Sequence, residues 1–422
     1  MRGDAGDAGS RARHHLLWAA ASQGVNAGTN IAVTLQLARL LPARHFATLA
    51  IGLAVLPLTV ACLRGMDFEP AVVHGDLSRS SAWRMLRHAA VGGFGAAACL
   101  VAAVAALDGP LAIGLLLAVG AVATTVQDGS RWLLFGLQEP RRAATLDLVW
   151  AVVQMGAMAL ALGSPTVAAL AWSLGAVASA VVGTIAVRRS TEVRPSPPLP
   201  RVWQWGLEYV VAAGAPQLAL LVAPLTGGVE VAGGLRGALS LLGGATVLLG
   251  GAQQAVAARV RRVDDDAELR RLGVRMGIGL GLVVAVACAP LLALGDHLGT
   301  ALLGESWPAT RVVLPILVLQ RIATAVACGP AFALRRRLDH TSGLWWRVGL
   351  TSVALAFVLL AAEVGSSRGA AWALTVAAVV SVPVWMRMLP RATPGPQPAP
   401  RPFDEEALLD VGALVDLPAL PS

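Results

Sequence analysis

The sequence contains no lysine; all 33 residues in the Lys-plus-Arg count are arginine. It has one tyrosine, four cysteines and only 14% charged residues, where a soluble domain carries roughly 25%. With 56% hydrophobic residues and a mean hydropathy of +0.67, this excludes a soluble enzyme and indicates a multi-span membrane protein. The cysteines, Cys62, Cys99, Cys288 and Cys328, fall in apolar stretches without CxxC spacing, which excludes a disulfide framework or a zinc site. No HExxH, GxSxG or phosphate-cradling glycine loop is present, and the seven histidines are scattered. Neither an enzyme nor a bound cofactor or metal is therefore expected. The net charge of +8 could suit nucleic acid, but the arginines sit in short loops between apolar runs, so no nucleic-acid partner is expected.

Twelve apolar stretches are present, each near the roughly 20 residues that a bilayer core demands. They run over 16–41, 46–64, 89–107, 111–137, 146–162 and 167–187, then 202–224, 229–258, 274–294, 312–334, 344–362 and 369–385. With the N-terminus inside, 26 of the 33 arginines fall on the cytoplasmic side. Only Arg39, Arg44, Arg311 and Arg368 lie outside, and Arg131, Arg236 and Arg321 lie within spans. The bias predicts a multi-pass protein of the cytoplasmic (inner) membrane with both termini cytoplasmic. The expected organisation is a tail over 1–15, an N-terminal lobe of six helices over 16–187, a Pro/Arg-rich linker over 188–201, a C-terminal lobe over 202–386, and a cytoplasmic tail over 387–422. That last tail is Pro-rich and then acidic, so it should be extended in its first part. The external connections are short, the longest being 295–311. Ala38–Ile51 aligns weakly with Ala223–Arg236, and six spans per lobe imply a parallel internal repeat.

Polar residues inside the spans are the candidate functional groups. Holding a charge such as Arg236 near a helix centre costs roughly 2.5–3.5 kcal/mol on insertion scales, so such residues are functional candidates by default. Arg236 and Arg321 have no acid close in sequence. Arg39 ends the first span, which is also interrupted by Asn30, and Gln217 follows a Pro216 break in the seventh. Asp128 and Arg131 are three apart on one helix face and can pair; they are either a self-neutralised pair or an ion-coupling site. Glu208 lies a third of the way into the seventh span, either in that coupling role or reaching back to the interface. The chain has no acid between Asp7 and Asp67, which counts against a proton- or sodium-coupled site in the first half. If several arginines face one cavity, the cavity suits an anion such as a lipid pyrophosphate, because arginine binds phosphate bidentately.

Three stretches resemble the polysaccharide flippase family, of the superfamily that also holds MATE drug exporters. ARLLPARHFATLAI (Ala38–Ile51) looks like that family's R-x-L-G-x-x-x-F hairpin. ALLGESWPATRVVLPILVLQR (Ala301–Arg321) is similar to its approach to the tenth span, and VAARVRR over 256–262 to its exit from the eighth. The resemblance implies an all-α integral membrane fold with two six-helix lobes around a V-shaped cavity. It implies outward flipping of a lipid-linked oligosaccharide or polysaccharide precursor by alternating access. Arg39, Arg236 and Arg321, with Gln217 and Asn30, are the candidate substrate contacts; Asp128, Arg131 and Glu208 are the candidate coupling residues. Expected partners are a lipid-linked oligosaccharide or other anionic amphiphile, membrane lipids and polysaccharide-assembly proteins. The alternatives are a MATE-like cation-coupled antiporter and a non-transporting scaffold of a polysaccharide-synthesis complex.

Overall fold

The computed structural model describes residues 4–68, 71, 77–160, 163–192, 203–245, 249, 266–335, 340–363 and 367–388. Among them every regular element is helical and none is a strand. That is the form a backbone takes where lipid offers it no hydrogen-bond partner.

The N-terminal lobe comprises α1 (Asp4–Leu40), α2 (Ala43–Leu53), α3 (Val55–Leu63), α4 (Arg79–Ala106), α5 (Leu111–Gly136), α6 (Pro140–Ala159) and α7 (Pro165–Ser190). The C-terminal lobe comprises α8 (Trp203–Val222), the single turn α9 (Pro224–Gly227), α10 (Val229–Leu241), α11 (Asp266–Leu292), α12 (Asp296–Leu303), α13 (Trp307–Arg335), α14 (His340–Glu363) and α15 (Ser367–Met388). Eleven of the twelve expected spans fall on one of these helices or on the α2–α3 pair; of the eighth, 229–258, α10 covers Val229–Leu241, and most of the rest lies outside the described residues. Eight helical segments are long and apolar enough to cross a membrane by length and composition. Helices α1 and α6 are not among the eight, because Gln23, Asn26 and Asn30 on one and Asp147 and Gln154 on the other lower their apolar character.

The structure departs from the sequence expectation in three places. Helix α1 begins at Asp4, so the helix continues back through the segment expected as a tail, which contains no proline to stop it. The second span is not one helix. Pro57 has no N–H for the carbonyl of Leu53, the α-helix breaks at Ala54, and the span ends in a wide π-turn over Arg64–Phe68. The long external connection over 295–311 is also folded. It forms α12 and a tight 3-10 turn, and α13 then starts at Trp307, which is buried. The linker over 193–202, the arginine cluster at the end of the eighth span and the tail beyond Met388 lie outside the described residues.

Close packing in both lobes rests on small residues, as expected where lipid provides no hydrophobic drive between helices. In the N-terminal lobe, Trp150 and Trp172 meet in a tilted arrangement, 5.8 Å between centroids and 58° between ring planes. A Cβ at Gly120 would meet the Trp172 ring at 2.2 Å. In the C-terminal lobe, α11 crosses α13 so closely that a Cβ at Gly329 would meet the Gly273 carbonyl at 2.2 Å. The apolar core continues from one lobe into the other: α2 packs on α10, and α3 on α8. At these levels the cleft implied by the family resemblance is closed.

Candidate functional site

Ser22, Asn26 and Asn30 are spaced four apart on α1, so they form one polar stripe on an apolar helix. Helix α6 faces it with Asp147 and Gln154, two turns apart. The Ser22 hydroxyl and Asn26 Nδ2 (3.3 Å) both donate to the Asp147 carboxylate. Gln154 Nε2 donates to the Thr29 carbonyl at 2.8 Å, one turn further along.

Helix α5 supplies the third wall. Gln127 Nε2 donates to Asp147 Oδ1 at 2.7 Å, and Arg131 Nη1 lies 3.6 Å from Asp147 Oδ2. Arg131 Nη2 also donates to Asp128 Oδ1 at 2.8 Å. The π-turn brings in a second arginine: Arg64 Nε and Nη2 grip Asp128 at 2.8 and 2.5 Å, the bidentate geometry that guanidinium and carboxylate favour. Phe68 anchors that turn by packing on Gly129, where a Cβ would meet the ring at 2.6 Å. The Arg64 guanidinium also stands 5.7 Å from the Trp132 ring centre.

The result is a chain of alternating charge, Arg64–Asp128–Arg131–Asp147, running inward from partly exposed to fully buried. Side-chain exposure falls from 28% at Arg64 through 8% and 2% to 0% at Asp147. Two cations balance two anions, which such burial requires, since an unpaired ion there costs several kcal/mol. Satisfaction is incomplete: Arg131 Nε and Nη1 and Gln127 Oε1 are buried with no hydrogen-bond partner among the described residues. The cluster therefore keeps spare donors and a spare acceptor.

Of the sequence-predicted residues, Asp128 and Arg131 therefore do come together, and they gain two partners not foreseen. In the sequence Asp147 stands at the start of an apolar stretch and Arg64 at the end of one. The shared spacing of Asp147 and Gln154 with the α1 stripe was the available signal. The absence of an acid from the first span is offset by this carboxylate, delivered from another helix. Asn30 is engaged within the lobe, donating to the Asn26 carbonyl at 2.8 Å and accepting from the Trp172 indole at 3.1 Å. The Glu208 side chain lies outside the described residues.

The C-terminal candidates stand apart from this cluster. Arg236 is seven residues into α10 and Arg321 fourteen residues into α13, about 10 and 21 Å along their helices. Both are half-buried, and neither has an ion-pair partner among the described residues. Arg321 Nε and the side-chain oxygens of Gln320 and Gln217 are buried with no hydrogen-bond partner among the described residues. Arg39 is exposed in the last turn of α1. Beside it the lobes touch: Glu305 accepts from the Ala43 backbone N–H at 3.1 Å. Gly304, at φ +53°, presses so close that a Cβ would meet the Arg39 carbonyl at 3.0 Å. Glu305 thus caps the first turn of α2, which has no side-chain cap of its own.

No protein-family model matches the sequence, and no curated protein matches it either. Solved structures do match. An inward-facing multidrug resistance MATE family transporter of the MOP superfamily superposes with TM-score 0.60 at 16% identity, covering 88% of this chain and 95% of the other. A MATE in complex with MaD3S gives 0.59 at 16% identity, over 93% and 97% of the two chains. An outward-facing multidrug resistance MATE family transporter gives 0.52 at 18% identity, over 93% and 98%. Over nearly its whole length, this chain has the fold of MATE-type transporters of the MOP superfamily.

Proposed function

We propose that the protein is an alternating-access transporter of the cytoplasmic membrane that moves an anionic amphiphile outward, a lipid-linked oligosaccharide or related polysaccharide precursor. The observation carrying this reading is the pair Arg236 and Arg321, cations held inside the C-terminal lobe without a carboxylate partner among the described residues. A diphosphate would supply the missing negative charge through charge-assisted hydrogen bonds. Gln217 and Gln320, with unpaired buried oxygens, could accept from sugar hydroxyls alongside it. The contact of Gly304 and Glu305 with the α1–α2 turn acts as the outer gate, which must part for release. The Arg64–Asp128–Arg131–Asp147 chain is the coupling element, since repairing within it can follow the movement of α1 against α5 and α6.

The test is transfer of a fluorescent lipid-linked oligosaccharide across proteoliposome membranes. Arg236→Ala and Arg321→Ala should each cut transfer about tenfold or more, the worth of one charge-assisted hydrogen bond, with folding retained. Unchanged transfer in both variants would remove the substrate assignment. A cation-coupled antiporter is the second reading, favoured by Asp147, a buried carboxylate held mostly by neutral donors. Substrate efflux that collapses in Asp147→Asn, with no transfer of the lipid-linked sugar by the native chain, would select it.

A further inference from the structure

A second charged site lies on the outer face of the C-terminal lobe, away from the interior arginines. An open recess of about 620 Å³ lies between α12, α13 and the start of α15. Its charged walls are Asp296, Arg311 and Arg368, and Pro308 and Val312 give it an apolar side. Arg311 and Arg368 are two of only four arginines that the sequence places outside the membrane. External arginines work against the charge bias that orients the chain, and two of them line one recess.

The hydrogen bonding indicates what the recess lacks. Asp296 is fully engaged: Oδ1 accepts from the Trp307 indole at 3.0 Å, and both oxygens accept from Arg311 at 2.5 and 2.6 Å. Arg311 makes both contacts with one nitrogen, Nη1, so the remainder of its donor fork is left over. Arg368 has no ion-pair partner among the described residues. Buried Trp307 fixes the geometry, because Gly299 packs against its ring where a Cβ would come within 2.0 Å. The recess therefore holds two cations against one locked anion, a surplus of one positive charge, with free guanidinium donors beside an apolar wall.

We propose that this recess binds a singly charged phosphate ester, its phosphate between Arg311 and Arg368 and its less polar part along Pro308 and Val312. Both a phospholipid headgroup of the outer leaflet and a soluble phosphate ester fit that chemistry. The site is independent of the translocation reading, and either can fail alone.

The experiment is native mass spectrometry of the full chain released from nanodiscs containing equal phosphatidylglycerol and phosphatidylcholine. The native chain should retain phosphatidylglycerol in preference. Arg368→Gln should lose that preference by about tenfold, the loss of one charge-assisted contact. Val312→Asp, which puts a negative charge in the wall, should do the same. Arg387→Gln, at the opposite end of α15, should leave it unchanged. Release of the bound lipid by millimolar inorganic phosphate identifies a soluble phosphate ester as the natural ligand, and resistance to release identifies the lipid. Native-like retention in both Arg368→Gln and Val312→Asp, or equal loss in Arg387→Gln, would overturn the proposal.

Discussion

The two lobes handle buried charge in opposite ways. In the N-terminal lobe, Arg64 and Arg131 are matched by Asp128 and Asp147, and every one of the four makes an ion pair. In the C-terminal lobe, Arg236 and Arg321 sit within helices and no described carboxylate pairs with either. Topological similarity between the halves therefore does not extend to their chemistry. A balanced cluster can persist without any ligand, because its own pairs offset the cost of burial. An unbalanced one is stable only as far as water or an anion reaches it. This asymmetry separates a charge cluster that neutralises itself from two arginines that no described carboxylate neutralises.

The largest effect should come from breaking the balanced side. Arg131→Leu leaves Asp147 and Asp128 short of a cation and should destabilise the protein by about 3–5 kcal/mol, read as a lower unfolding midpoint. The double variant Arg131→Leu/Asp147→Leu should recover part of that loss, because it removes the orphaned charge together with its partner. The matching change in the other lobe should carry the opposite sign. Arg321→Leu removes an unpaired charge and should raise the midpoint, by at most roughly 2.5–3.5 kcal/mol, while transfer of the anionic lipid falls. If Arg321→Leu destabilises the chain as much as Arg131→Leu does, the contrast between the lobes is wrong.

Two smaller effects refine the comparison. Asn30→Ala leaves the Trp172 indole without its acceptor and should cost about 1–3 kcal/mol, with no specific loss of substrate binding if Asn30 serves the lobe alone. Glu305→Ala removes an exposed helix cap, worth about 1 kcal/mol or less. Its clearer readout is labelling: a thiol at Ala43→Cys, in a background without native cysteines, should react faster with an external reagent once the gate contact is lost. Labelling at the native rate would mean that Gly304 alone holds the lobes together there.

Much of the N-terminal cluster was hidden from the sequence by distance along the chain. Asp128 and Arg131 could be read because three residues on a helix place them on one face. Asp147 could not, because its α1 partners, Ser22 and Asn26, are 125 and 121 residues away. Arg64 counted as a loop arginine until the π-turn rotated it onto Asp128, and local propensity gives no warning of such a turn. The fold of 295–311 was also missed: its helix is held by the Trp307–Asp296 and Glu305–Ala43 contacts, one within the C-terminal lobe and one across to the other lobe.

Composition was enough to specify a membrane protein built of helices, because a bilayer imposes one rule on every apolar segment. The pairing of buried charges was decided only when the helices packed. Whether an ion costs or stabilises depends on what stands within a few ångströms of it, and that neighbour usually comes from elsewhere in the chain. The sequence offers Arg131 the nearby Asp128 and offers Arg321 no acid; the tertiary structure adds Asp147 to the first and leaves the second without a carboxylate among the described residues.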